Sequence, residues 1–258
     1  MKSVVLKYDG SFPGFLTCVF NAYEQKLEIA EIIPEGEDQK QLFSETLEVI
    51  TEDFKVQRVL KSLKKKLSSN GFTRLYYSFL SEIPGIELKM YDMIRYVYSS
   101  QEKAELDYSH PSVLDISKAA KQVGREKHRM EAFIRFRLTK DDLYFAVIEP
   151  DFNVLPVITK HFKSRYADQR WLIYDLKRKL GVHYDLQKAE YVSMELPEDI
   201  GISGGNPDYF AEGEIYFQHL WKDYFDSTNI KSRVNMRLHI QHVPKRYWKY
   251  LSEKSPFA

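Results

Sequence analysis

The chain has 258 residues, 43% of them hydrophobic and 29% charged, so it can bury one large or two small cores, and its composition excludes an intrinsically disordered chain. Its 38 basic and 37 acidic side chains leave a formal net charge of +1, which excludes a uniformly basic nucleic-acid binder and restricts any such surface to a local patch. No apolar run reaches membrane-spanning length and the first residues carry none of signal-peptide length, which points to a cytoplasmic protein without a membrane partner.

The opening strand Val4–Tyr8 ends at the turn pair Asp9-Gly10, and Ser11 precedes a helical pattern from about Pro13 to Tyr23. Within it the single cysteine, Cys18, stands among Phe15, Leu16, Val19 and Phe20 with no charged neighbour to favour a thiolate, so it reads as a buried thiol. Leu27–Ile33 and Leu47–Ile50 follow as strands, separated by a polar loop over 34–40. Residues 1–51 thus form a small α/β unit.

Residues 52–129 read as helical. Val56, Val59, Leu60, Leu63 and Leu67 share one side of the first helix, and Arg58, Lys61 and Lys65 the other, facing solvent or a partner. Pro84-Gly85 and His110-Pro111 interrupt the region, and Ser112 is placed to cap its last helix. There Val113, Ile116, Ala120 and Val123 form the buried stripe, opposite a basic face of Lys118, Lys121, Arg125, His128 and Arg129.

From Glu131 the hydrophobic period becomes two, predicting a β-hairpin of 132–138 with Leu143–Glu149 around the turn 139–142. A helix from about Asn153 to Tyr166 and a second hairpin, Trp171–Tyr174 with Val182–Tyr184, complete a β-β-α-β-β pattern over 130–195. Gly201–Pro207 reads as a flexible loop. The aromatic-rich helix 212–225 and the C-terminal helices occupy 208–258. The expectation is one large α+β domain with a central antiparallel sheet flanked by helices.

Four features carry chemistry. Glu149, Asp151, His161 and Asp168 gather polar groups around a strand-to-helix passage, suiting general acid–base work or metal binding on nucleic acid. Alternatively, Asp151 or Asn153 caps the helix and Glu149 pairs an arginine. The spacing matches no metal signature, and neither a metal nor a cofactor is named by it. Pro84-Gly85-Ile86-Glu87 resembles a helix-hairpin-helix turn, but Glu87 occupies the second glycine's place and would repel a phosphate. In the C-terminal block Pro244–Leu251, Tyr247, Trp248 and Leu251 share one face as a docked stripe, leaving Lys245 and Arg246 for phosphates. The basic face ending at Arg129 runs directly into Arg135 and Arg137, either one phosphate-tracking surface or a solvated face balanced by Glu126 and Glu131. The chain has no P-loop, dinucleotide fingerprint, nucleophile elbow, cysteine pair or deaminase pattern, so whether it is an enzyme stays open.

Tyr8-Asp9-Gly10-Ser11-Phe12, Val123-Gly124-Arg125-Glu126, the stretch Ile148–Pro156, Ala167-Asp168-Gln169 with Trp171, and Pro244–Leu251 resemble, in order, the bacterial family known as probable DNA metabolism proteins, a domain of unknown function. The resemblance implies a role in DNA repair or modification beside a radical-SAM protein, with DNA as ligand. Longer relatives carry a uracil-DNA-glycosylase-like domain, so this chain resembles the stand-alone form. No catalytic residue carries over. The expected function is a DNA-binding accessory subunit. The rivals are a nucleic-acid hydrolase or lyase using the Glu149–Asp168 tract, and a scaffold docking the radical-SAM partner.

Overall fold

A computed structural model describes residues 3–37, 44–100, 104–197, 200, 208–228 and 236–254. The chain divides into two compact units, Met1–Gly124 and Arg125–Ala258.

In the first unit β1 (Val4–Tyr8) pairs in parallel with both β2 (Ile29–Pro34) and β3 (Glu45–Val49), in the order β2-β1-β3. A central parallel strand is covered on both faces, and β1 accordingly buries Val4, Val5, Leu6 and Tyr8. Helix α1 (Phe12–Glu24) makes the β1-to-β2 crossover. Ser11 caps it, accepting a hydrogen bond from the Gly14 N–H at 3.0 Å. A side chain at Gly14 would place its Cβ 2.2 Å from Asp9 Oδ1 and 2.9 Å from Tyr8 Cδ2, so the close approach of α1 to the end of β1 requires glycine. Cys18 is fully buried on this helix, and burial pushes its thiol pKa up to about 12.

Helices α2 (Asp53–Lys66), α3 (Ser69–Phe79) and α4 (Ile86–Ser99) follow, and α5 (Pro111–Phe133) begins at the expected break. Hydrophobic periodicity does not mark the boundary at Ser68, whose hydroxyl caps α3 at Gly71 N while donating to Glu105 at 2.5 Å. Gly85 has φ +80° and leads into α4, a left-handed conformation that only glycine adopts cheaply. Glu87, two residues on, accepts a hydrogen bond from the Tyr8 hydroxyl at 3.2 Å, a packing role in place of a phosphate-binding hairpin. Val113, Ile116, Ala120 and Val123 are all buried, as the stripe on α5 predicts.

The second unit is built on a five-stranded sheet in the order β4-β5-β6-β7-β8, with β4 (Arg137–Leu138), β5 (Tyr144–Ile148), β6 (Trp171–Asp175), β7 (Leu180–Tyr184) and β8 (Ala189–Ser193). Three of its pairings are antiparallel, but β5 and β6 run parallel. The expected antiparallel sheet is therefore a mixed one, because α6 (Leu155–Arg165) occupies the connection and carries the chain back to the start of the sheet. The first hairpin is also shorter than its alternation suggested. Ala132 and Phe133 belong to the last turn of α5, and only Arg137 and Leu138 pair with β5.

The sheet buries both faces. Ala146, Ile148, Trp171, Ile173 and Val182 pack with Leu155, Ile158 and Phe162 of α6, while Phe145, Val147, Leu172 and Tyr174 pack around Phe210. Helix α7 (Glu214–Thr228) and α8 (Met236–His242) complete the unit, followed by a 3₁₀ segment, Lys245–Tyr250. The expected flexible loop Gly201–Pro207 lies outside the described residues. Among the described residues no helix is long and apolar enough to cross a membrane.

Candidate nucleic-acid interface

The tract after β5 is tied to the C-terminal segment. The Glu149 carboxylate accepts hydrogen bonds from Lys249 Nζ at 2.6 Å and Tyr250 Oη at 2.5 Å, which hold its pKa below the usual range. Asp151 pairs with Arg246 at 2.5 Å, and its backbone N–H donates to Glu126 Oε1 at 3.0 Å. Glu126 is 1% exposed and also accepts from the buried Tyr247 hydroxyl and from Arg246 at 3.1 Å, with Arg129 at 3.5 Å. Of the docked stripe expected of the C-terminal block, Tyr247 and Leu251 are 1% and 2% exposed, whereas Trp248 is only half-buried, its Nε1 donating to the Val243 carbonyl at 3.0 Å. Neither Asp151 nor Asn153 caps α6, whose N-cap is Val154. The partner of Glu149 is a lysine where an arginine was the expected alternative.

His161 and Asp168 lie elsewhere. Since Ile148 sits beside Asp175 and Tyr144 beside Trp171, Asp168 precedes β6 at the end of the strand pair opposite Glu149 and Asp151. His161, on α6, faces Glu131 at 4.0 Å. The crevice beside Glu149, lined by Tyr247 and Tyr250, holds about 10 Å³, too little for a substrate. The four residues thus do not share one pocket. Among the described residues no group of three or more His, Cys, Asp or Glu side chains is gathered to hold a metal ion.

Several of the cations singled out by sequence are engaged inside the second unit. Arg135 forks onto Glu253 at 2.7 and 3.2 Å and donates to the Ala132 carbonyl at 2.8 Å. Arg137 is 6% exposed, its guanidinium 4.1 Å from the Phe210 ring centroid, and burial lowers its pKa to about 10 against the opposing pull of Glu214. Arg246 is held by Glu126 and Asp151. Lys245 is exposed, 5.9 Å from the Trp248 ring centroid. On α5, Lys118 and Lys121 of the first unit and Arg125 and His128 of the second are exposed and make no ion pair among the described residues.

Among the described residues the densest positive charge without ion-pair partners is on α2. Lys55, Arg58, Lys61, Lys64, Lys65 and Lys66 stand against the single carboxylate Asp53. Lys55 pairs with Glu52 at 2.6 Å, whereas the other five are exposed without an ion pair among the described residues. The last three complement the helix dipole. Arg58, Lys61 and Lys65, however, continue up the helix in one row with Phe54, which is 69% exposed, and Arg58 lies 5.6 Å over the Phe54 ring. The buried Val56, Val59 and Leu63 fix this row outward. Sequence periodicity identified three of these cations and overlooked Lys64, Lys66 and Phe54; the run Lys64-Lys65-Lys66 was the available signal.

The fold and these surfaces describe an α+β protein with exposed basic helix faces. The family model for the domain of unknown function DUF4130 matches residues 84–253, and the chain belongs to that family. No curated protein and no solved structure matches the chain.

Proposed function

We propose that the chain is a DNA-binding accessory protein in DNA repair or modification, meeting phosphates through exposed helix faces while a separate radical-SAM enzyme supplies the chemistry. The observation that carries this reading is the row Arg58, Lys61 and Lys65 on α2, cationic, solvent-facing and without carboxylate partners among the described residues. A local patch of this kind attracts a polyanion even when the net charge of the whole chain is only +1. Lys118, Lys121, Arg125 and His128 on α5 are further exposed contacts, with Lys245 at the C-terminus. Arg129, Arg135, Arg137 and Arg246, whose charges are paired or buried, hold the fold and contribute less to DNA.

Binding of fluorescein-labelled DNA, followed by anisotropy over a salt series, tests the reading. Three or four phosphate contacts give a slope of log K against log salt of about −3. Lys61→Glu/Lys65→Glu should weaken binding at least ten-fold, and Arg125→Glu should weaken it further. Salt-insensitive binding, or none, removes the proposal.

A second reading has its own observation. On α7, Tyr216 and Phe217 are each 64% exposed and Leu220 is 45% exposed, an aromatic surface suited to a protein partner. Co-purification with the radical-SAM protein that survives nuclease treatment, and is lost in Tyr216→Ser/Phe217→Ser, would support direct docking.

A further inference from the structure

Beside the basic row of α2, within the first unit, an open groove of about 780 Å³ runs between α4, the start of α5 and the end of α1. That is the size of a site for one nucleotide or a small ligand. One face of α4 supplies its floor, because Lys89, Asp92, Tyr96 and Ser99 recur at helical spacing while Met90, Met93, Ile94 and Val97 turn into the core.

Its walls are aromatic. Tyr96 stacks on His110 with ring centroids 4.1 Å apart and planes at 17°, and its hydroxyl is anchored on Asp107 at 2.5 Å. The pair is a fixed, flat platform. Nδ1 of His110 is buried and has no hydrogen-bond partner among the described residues. Across the groove Tyr23, 44% exposed, meets Tyr98 edge to face at 5.7 Å.

Charge is arranged around these rings. Arg95 is exposed on the rim, and the first turn of α5 at Pro111 and Ser112 brings the positive end of a 23-residue helix to the lining. Lys89 is partly offset by Asp115 at 3.6 Å. The Tyr98 hydroxyl donates to Ser62 Oγ of α2 at 2.7 Å. On the helix surface Ser62 is flanked by Arg58, Lys65 and Lys66, three or four residues away, so the tyrosine wall and the free cations of α2 adjoin.

We propose that this groove takes an unstacked base of single-stranded DNA, stacking it among Tyr23, Tyr96 and Tyr98 while Arg95 and the α2 row hold the flanking phosphates. Every base presents a π face to such rings, so recognition tolerates sequence. The Asp92 carboxylate in the floor is able to accept from an exocyclic amino group, favouring bases that carry one. Duplex DNA keeps its bases stacked and meets only the cations. The inference rests on the DNA-binding reading above and adds the strandedness that the basic row alone leaves undefined.

The test uses the full chain with a fluorescein-labelled 15-mer of deoxycytidine and a mixed-sequence duplex of equal length. Wild type should bind the single strand more tightly. Tyr23→Ala should weaken the single strand about ten-fold and leave duplex affinity within two-fold, as loss of one stacking contact implies, whereas Arg95→Ala, which removes a phosphate contact, should weaken the single strand by about as much and the duplex as well. Lys61→Glu/Lys65→Glu should weaken both. Photocrosslinking of wild type to a 5-iodouracil-substituted strand should map to Tyr23, Tyr96 or Tyr98, a readout independent of variant folding. If the α2 variant loses both ligands while the groove variants bind the single strand like wild type and crosslinks map elsewhere, the groove assignment is overturned and DNA binding stands. If wild type binds neither DNA, both fail.

Discussion

Removing the Glu126 side chain should unfold the second unit more readily than any other single truncation around the C-terminal segment. This carboxylate, 1% exposed, receives the Tyr247 hydroxyl, the Asp151 backbone N–H and Arg246, with Arg129 at 3.5 Å. Glu126→Ala strands a buried hydroxyl and a backbone donor, and a polar group left unsatisfied in the interior costs about 1–3 kcal/mol. It also deprives two arginines of their counter-ion, although Arg246 retains Asp151 at 2.5 Å and its 43% side-chain exposure limits that loss. The sum is about 3–5 kcal/mol, the range for breaking a buried pair by deleting one partner.

All three tryptophans of the chain, Trp171, Trp221 and Trp248, fall in the second unit, so their fluorescence reports its unfolding. With a urea m-value of about 2 kcal/mol/M, the midpoint should fall by roughly 2 M at unchanged m. Glu126→Gln keeps an acceptor and should cost roughly half as much. A midpoint shift under about 0.5 M for Glu126→Ala would show that the C-terminal segment is not held through this carboxylate.

Two further outcomes follow from buried and paired groups. Cys18, with its thiol pKa pushed up to about 12 by burial, should resist a thiol reagent at pH 8 in the native protein and react stoichiometrically in denaturant; rapid native labelling would contradict the packing of α1. Glu253 is buried, which alone would raise its pKa, but the Arg135 fork outweighs burial and holds it below the ordinary 4.5. Its stabilising contribution is therefore complete above pH 4.5 and lost as the pH falls through the lowered native value. Acid titration of urea midpoints should show this loss in wild type and a shallower one in Glu253→Gln. Trp221, whose Nε1 donates to Glu253 at 3.0 Å, serves as the local reporter. Identical acid profiles would remove the pair from the stability balance.

Local periodicity by itself determined a good part of this protein. The start of β1, the helix that follows Ser11, the amphipathic faces of α2 and α5 and the apolar stripe of Tyr247 and Leu251 each depend on neighbours within a turn or two, so the sequence displays them. The basic side of α2 was legible for the same reason. Periodicity also misled where it was short: alternation after Glu131 suggested a strand, yet Ala132 and Phe133 extend α5, whose preceding turns already propagate the helix.

Only the tertiary structure decided which charges are free. Arg135 and Glu253 are 118 residues apart, Arg246 and Glu126 are 120 apart, and Lys249 and Glu149 are 100 apart. No spacing rule links such pairs, and each converts an apparent phosphate ligand or catalytic carboxylate into a clasp. The same holds for the mixed sheet, set by the path of α6, and for the tyrosine groove, assembled from α1, α4 and α5. Sequence specifies which face of an element is polar, whereas chain closure over long distances specifies what that face meets.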